Sequence, residues 1–127
     1  MENRLLFECV IKGRPIVKKN TKQTFMSRGR RVTIYSPQFR QWENNACHEI
    51  LRLKRTIKQI DFYCHAVFKF YFKNHQAEAD VSNLNEGPCD VLEKMGVIQN
   101  DKLFRKITCE KFFESEDQRT QIEIWSE

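Results

Sequence analysis

Ile60-Asp61-Phe62-Tyr63-Cys64-His65-Ala66-Val67-Phe68-Lys69-Phe70-Tyr71-Phe72-Lys73 is the stretch on which the fold turns. Side chains of a strand alternate between two faces. One face here carries Phe62, Cys64, Ala66, Phe68, Phe70 and Phe72; the other carries Tyr63, His65, Val67, Lys69, Tyr71 and Lys73. The alternation predicts a strand over 60–73 whose apolar face packs on helices. The second face admits two readings. Interleaved aromatic and basic groups can stack on unpaired bases. Tyr63, Val67 and Tyr71 can equally form a second core or a dimer face.

On the N-terminal side, residues 5–12 read as a strand closed by Gly13 and Pro15. Residues 18–36 predict an irregular hairpin with arms at 24–26 and 32–35 and a turn at 27–30. Ser36-Pro37 is a helix start, with Ser as cap and Pro at the first helical position. Phe39, Trp42, Ala46, Ile50 and Leu53 then recur at helical spacing to about Arg55. Arg40, His48, Arg52 and Arg55 lie off that stripe, on a face that is either solvated or turned to nucleic acid.

On the C-terminal side, a polar loop at 74–79 leads to a helix between Asn83 and Met95, with Leu84, Val91, Leu92 and Met95 as its apolar face. Gly87-Pro88 leaves two options. Pro88 kinks a continuous helix, or Gly87 caps a short one and Pro88 begins the next. Gly96 ends the helix. Residues 106–113 and 120–125 alternate as strands, with 114–118 as a hairpin loop between them. The order β, hairpin, α, β, α, β, β predicts one α+β domain over 1–127 with a mixed or mostly antiparallel sheet.

The 127 residues carry five cysteines, Cys9, Cys47, Cys64, Cys89 and Cys109, in odd number and without a CxxC pair. Disulfides and a structural zinc site are not expected from that spacing. No apolar run reaches the length of a membrane span, and the acidic Glu2 opposes a signal peptide. A cytoplasmic chain that engages no membrane is expected.

The net charge of +5 is unevenly spread. Between Ile11 and Trp42 there is no Asp or Glu, but there are Lys12, Arg14, Lys18, Lys19, Lys22, Arg28, Arg30, Arg31 and Arg40. Between Glu78 and Asp101, Glu78, Asp80, Glu86, Asp90, Glu93 and Asp101 stand against Lys94 alone. A basic arm can neutralise phosphates, and an acidic patch can hold a cation. If the helix is continuous, Asn83, Glu86 and Asp90 share one arc, and Asp101 follows where the chain can double back. Several carboxylates then surround one point, and hard oxygen ligands suit Mg²⁺ or Mn²⁺. The plain alternative is a solvated acidic helix face.

The pattern Asp80-x-x-Asn83-Leu84, Asp90-x-Leu92, Gly96-Val97-Ile98 and Asn100-Asp101 resembles the signature of the RusA-type Holliday junction resolvase family, the crossover junction endodeoxyribonucleases. Gly13-x-Pro15-x-x-Lys18, a basic stretch, and Tyr35-Ser36-Pro37 resemble the family's N-terminal pattern. The resemblance implies an Mg²⁺-dependent homodimer that nicks four-way DNA junctions symmetrically in recombination and repair. The resemblance also implies a bacterial chain or one carried by a phage or prophage. Asp80 and Asp101 fall on family catalytic carboxylates, and Asp90 falls on the helix Asp. Two departures stand out. Ser82 occupies the place of a second Asp, and Glu86 that of a Lys. The expected metal site is therefore Asp80, Asp101, Asp90 and the substitute ligand Glu86, with Lys102 or Lys94 supplying the missing cation. The expected DNA contacts are Lys18, Lys19, Lys22, Arg28, Arg30 and Arg31. A degenerate site that binds DNA without cutting it, and a nuclease of broader branched substrates, are the alternatives.

Overall fold

A computed structural model describes residues 3–18, 22–53, 58–75 and 80–127. The elements run β1 (Leu5–Lys12), β2 (Lys22–Ser27), β3 (Arg30–Tyr35), α1 (Pro37–Leu53), β4 (Cys64–Tyr71), α2 (Val81–Leu84), α3 (Glu86–Lys94), β5 (Phe104–Phe112) and β6 (Arg119–Ser126). A 3-10 turn over Asp101–Leu103 precedes β5. One sheet has the spatial order β1-β6-β4-β5, and β2 and β3 form a separate ribbon. β6 is antiparallel to both β1 and β4, whereas β4 and β5 are parallel. The α+β class with a mixed sheet is as the alternation predicts.

The core lies between one face of this sheet and the helices. Cys64, Ala66, Phe68, Phe70 and Phe72 are buried there with Phe7, Ile11, Ile122 and Ile124. Phe39, Trp42, Ala46 and Ile50 of α1 and Val91 and Leu92 of α3 close it from above. Each fully buried Phe or Ile contributes roughly 1.5–3 kcal/mol. α1 starts as predicted: the Phe39 N–H donates to Ser36 Oγ at 3.2 Å. The tip of the β2–β3 ribbon uses φ values of 51° at Arg28 and 74° at Gly29. Left-handed backbone at both central positions matches the twist of a two-residue hairpin turn.

Two expectations are corrected. The long strand begins at Cys64, not at 60, and Phe62 is 47% exposed instead of buried. A strand persists only where neighbours pair its N–H and C=O groups. Both neighbours give out at Cys64, which faces Phe104 on one side and Ser126 on the other. Ile60 instead bridges Ile98, donating to the Val97 carbonyl at 2.9 Å and accepting from the Gln99 N–H at 2.9 Å. The second correction is that β5 and β6 are not a hairpin, because β4 lies between them. Insertion pairs both edges of the most apolar strand, which would otherwise be left partly open. The connecting segment crosses the end of β4, where the Ser115 N–H donates to Phe72 O and the Lys73 N–H to Gln118 Oε1.

The helical run after Asp80 resolves toward the kink. Pro88 has no N–H for the Leu84 carbonyl, so the ladder lapses at that point. Asn85 keeps helical angles (φ −67°, ψ −29°), and the Cys89 N–H reaches its carbonyl at 3.1 Å. Gly87 is no cap. A Cβ built there would lie 3.1 Å from Trp42 Cζ3, so glycine is what lets α3 approach α1. Gly96, at φ 73°, ends α3. Its N–H donates to Glu93 O and the Val97 N–H to Leu92 O, which satisfies two terminal carbonyls.

Candidate metal and nucleic-acid site

Asp80 stands at the N-terminus of α2 in extended conformation (φ −66°, ψ 139°). Its carbonyl accepts from the N–H groups of Asn83 and Leu84. Its carboxylate makes no capping bond, although Asp at this position usually does. Asp101 opens the 3-10 turn, and there the cap is Asn100, whose Oδ1 accepts from the Lys102 N–H at 2.8 Å. Both carboxylates are exposed, with no hydrogen bond or ion pair among the described residues.

The fold brings Asp101 to the α3 side of the molecule. Burial pushes the Cys89 thiol up to about 12, and Asp101 and then Asp90 add to that rise. The two carboxylates therefore act on one α3 thiol, Asp90 from α3 and Asp101 from the 3-10 turn. Cys109, on β5, donates its thiol hydrogen to Asn85 Oδ1 and so ties the α2–α3 junction to the sheet. Its pKa is raised by burial, against a lowering by that bond.

Asp90 is half-buried and forms an ion pair with Lys18. The sequence pattern puts Lys18 on phosphate and Asp90 on metal; in the fold they are on each other. Lys94 pairs with Glu43 of α1 at 3.4 Å, so it points away from the carboxylates toward the other helix. Lys102 is exposed beside Asp101. Glu86 is exposed in the first turn of α3 and has no partner among the described residues. Arg28, Arg30 and Arg31 are exposed at the ribbon tip. Lys19 and Glu78 lie outside the described residues, as does the side chain of Lys22.

Among the described residues no three His, Cys, Asp or Glu side chains are grouped closely enough to hold a metal ion. The donor set nevertheless suits Mg²⁺ or Mn²⁺. These hard ions are commonly held by one or two carboxylates and keep several waters. Asp80 and Asp101 offer such oxygens, and both are exposed.

Sequence reasoning misses three supporting contacts. Asn100 caps the turn that Asp101 opens, Asn85 fastens the kinked helix to β5, and Lys18, expected on phosphate, meets Asp90. Asn100 is visible as a cap type next to Asp101; the other two pairings join distant segments and leave no local signal.

No helix among the described residues is long and apolar enough to cross a membrane. A search of curated proteins finds no match. The model of the family described as endodeoxyribonuclease RusA matches residues 7–125. That span takes in most of β1, the basic ribbon, both exposed aspartates and nearly all of β6. With almost the whole chain matched, the protein belongs to the RusA endodeoxyribonuclease family.

Proposed function

We propose that the protein is an Mg²⁺-dependent endonuclease that nicks four-way DNA junctions symmetrically as a homodimer. The observation that carries this reading is the pair Asp80 and Asp101. Both match the family pattern in register; Asp80 stands at a cap position without making the cap bond, and Asp101 follows Asn100, which makes the cap at the 3-10 turn. Asp80 and Asp101 would hold the ion, and when bound it would activate a water and offset charge on the phosphodiester. The chain's own residues do the rest. Arg28, Arg30 and Arg31 draw in the phosphate backbone, and Lys102 adds positive charge beside Asp101.

Symmetric nicks require two sites related by a two-fold axis. The helices cover one face of the sheet and leave the other open. There Val67, Tyr71 and Trp125 stand among polar contacts, including Trp125 Nε1 to Glu123 Oε1 at 2.9 Å and His65 Nε2 to Thr108 Oγ1 at 2.8 Å. That mixed character fits a face shared by two copies better than a platform for bases. Arg119 already stacks on Tyr71 at 3.7 Å, and Phe112 stacks at 4.6 Å.

A reading without cleavage is favoured by one observation: no three-ligand group occurs among the described residues, in keeping with Ser82 at a place where the resemblance implies a carboxylate. Incubation with a labelled four-way junction, with and without Mg²⁺, separates the two. Paired nicks that need Mg²⁺ support the endonuclease; retarded but intact junction supports the binder. Equal cutting of flaps and forks points to the broader nuclease. Glu86→Gln should raise the Mg²⁺ concentration for half-maximal nicking if Glu86 completes the ion's shell. An unchanged requirement makes it a surface residue.

A further inference from the structure

The contact between Lys18 and Asp90 joins segments 72 residues apart, one in the basic stretch and one in the acidic helix. Both side chains are partly shielded, at 22% and 39% relative exposure. A shielded pair is screened less by salt than a surface pair and holds a more defined geometry. The neighbourhood is short of positive charge. Asp101 and Asp90 both act on Cys89, Glu86 lies one turn away, and Lys94 is committed to Glu43. Among the described residues, Lys18 is the lysine that forms an ion pair with a carboxylate of this group. A carboxylate neutralised by an ammonium is a weaker ligand for Mg²⁺, because the cation would have to displace its partner.

We propose that Asp90 is a positioning residue that anchors Lys18 at the carboxylate site and does not ligate the metal ion. The inference rests on the proposed nuclease reading but makes its own demands. Lys18 then serves as the fixed ammonium beside the phosphate to be cut, and it ties the base of the β2–β3 ribbon to α3. Arm and metal centre become one unit, so DNA seated on the ribbon is in register with Asp80 and Asp101.

Mn²⁺ binding to the full chain, followed by titration calorimetry without DNA, gives a readout independent of cleavage. Asp101→Asn should weaken binding at least tenfold, while Asp90→Asn should leave it within about twofold. A loss with Asp90→Asn equal to that with Asp101→Asn overturns the proposal. Hydrogen exchange gives the second measurement. Lys18→Met and Asp90→Asn should each speed exchange in the β2–β3 ribbon, and the double variant should add nothing. Additive effects also overturn it. If the wild type cuts no DNA, the nuclease reading fails, and these two measurements still decide whether the tether exists. If it does cut, Lys18→Met should lower kcat with little change in KM, and Lys18→Arg should restore part of it. A pure KM effect would make Lys18 an ordinary backbone contact and overturn its role at the site.

Discussion

The N-termini of α1 and α2 present the same problem and answer it differently. Each follows a residue of good capping type, Ser36 before α1 and Asp80 before α2. Ser36 turns its oxygen onto the Phe39 N–H and starts a helix of 17 residues. Asp80 keeps its oxygens outward, and the helix it starts is four residues long before the lapse at Asn85. A cap is worth roughly 1 kcal/mol to a helix, so withholding one is a local cost. The side chain that withholds it is one that we propose as a ligand of the ion. On the proposed site, the difference would separate a helix that packs from one that presents charge.

The sharpest way to break the comparison is to exchange the consequences. Asp80→Asn should reduce junction nicking by about 100-fold or more, as expected when a group that stabilises charge in the transition state is lost. It should leave the melting temperature and junction binding nearly unchanged. Nicking at the wild-type rate would place the site elsewhere. Ser36→Ala should do the reverse, costing about 1 kcal/mol in urea unfolding with nicking intact at permissive temperature.

Gly87 tests how closely the charge-bearing helix must approach the packing helix. Gly87→Val adds atoms where a Cβ alone is 3.1 Å from the Trp42 ring, a ring itself stacked on Phe39 at 5.8 Å. Overpacking of this kind should cost about 1–3 kcal/mol. Denaturant midpoints with unchanged m-values would measure it, and a stable variant would show that α3 can slide.

The basic ribbon should contribute affinity without geometry. Replacing Arg28, Arg30 and Arg31 by Ala should flatten log K against log salt by about 0.9 for each duplex phosphate left without its arginine. An unchanged slope would mean that DNA approaches another face.

The thiols sharpen the contrast by pH. Burial pushes Cys9 up to about 12, with Glu49 adding to it. A folded pKa above the unfolded one stabilises the protein fully below the unfolded value, near 8.5. That contribution is lost as pH rises through the window up to about 12, because the unfolded chain releases the proton first. Stability by urea unfolding should therefore fall between pH 9 and about 11, by roughly 1.4 kcal/mol per pH unit for such a thiol. A Cys9→Val variant should fall less steeply.

Much of this architecture is legible without coordinates. The strand at β1, the ribbon and its tip, the Ser36 cap and the α1 stripe are all local. Each is written in periodicity or turn chemistry that neighbouring residues decide among themselves. The basic and acidic blocks are equally plain. The two failures have a common cause. Alternation in β4, β5 and β6 says which face each residue takes but not which strand lies beside it. Phe62 continues the alternation, yet it has no neighbour to pair with.

What the chain determined by itself was therefore its elements, its class and its stock of carboxylates, because these follow from short-range sterics and hydrophobic period. Only the tertiary structure decided that β4 would enter between β5 and β6, that Gly87 would seat α3 against Trp42, and that Lys18 would meet Asp90. Those outcomes depend on which surfaces find each other when the core closes. Groups far apart in sequence have no periodic relation that could announce their meeting.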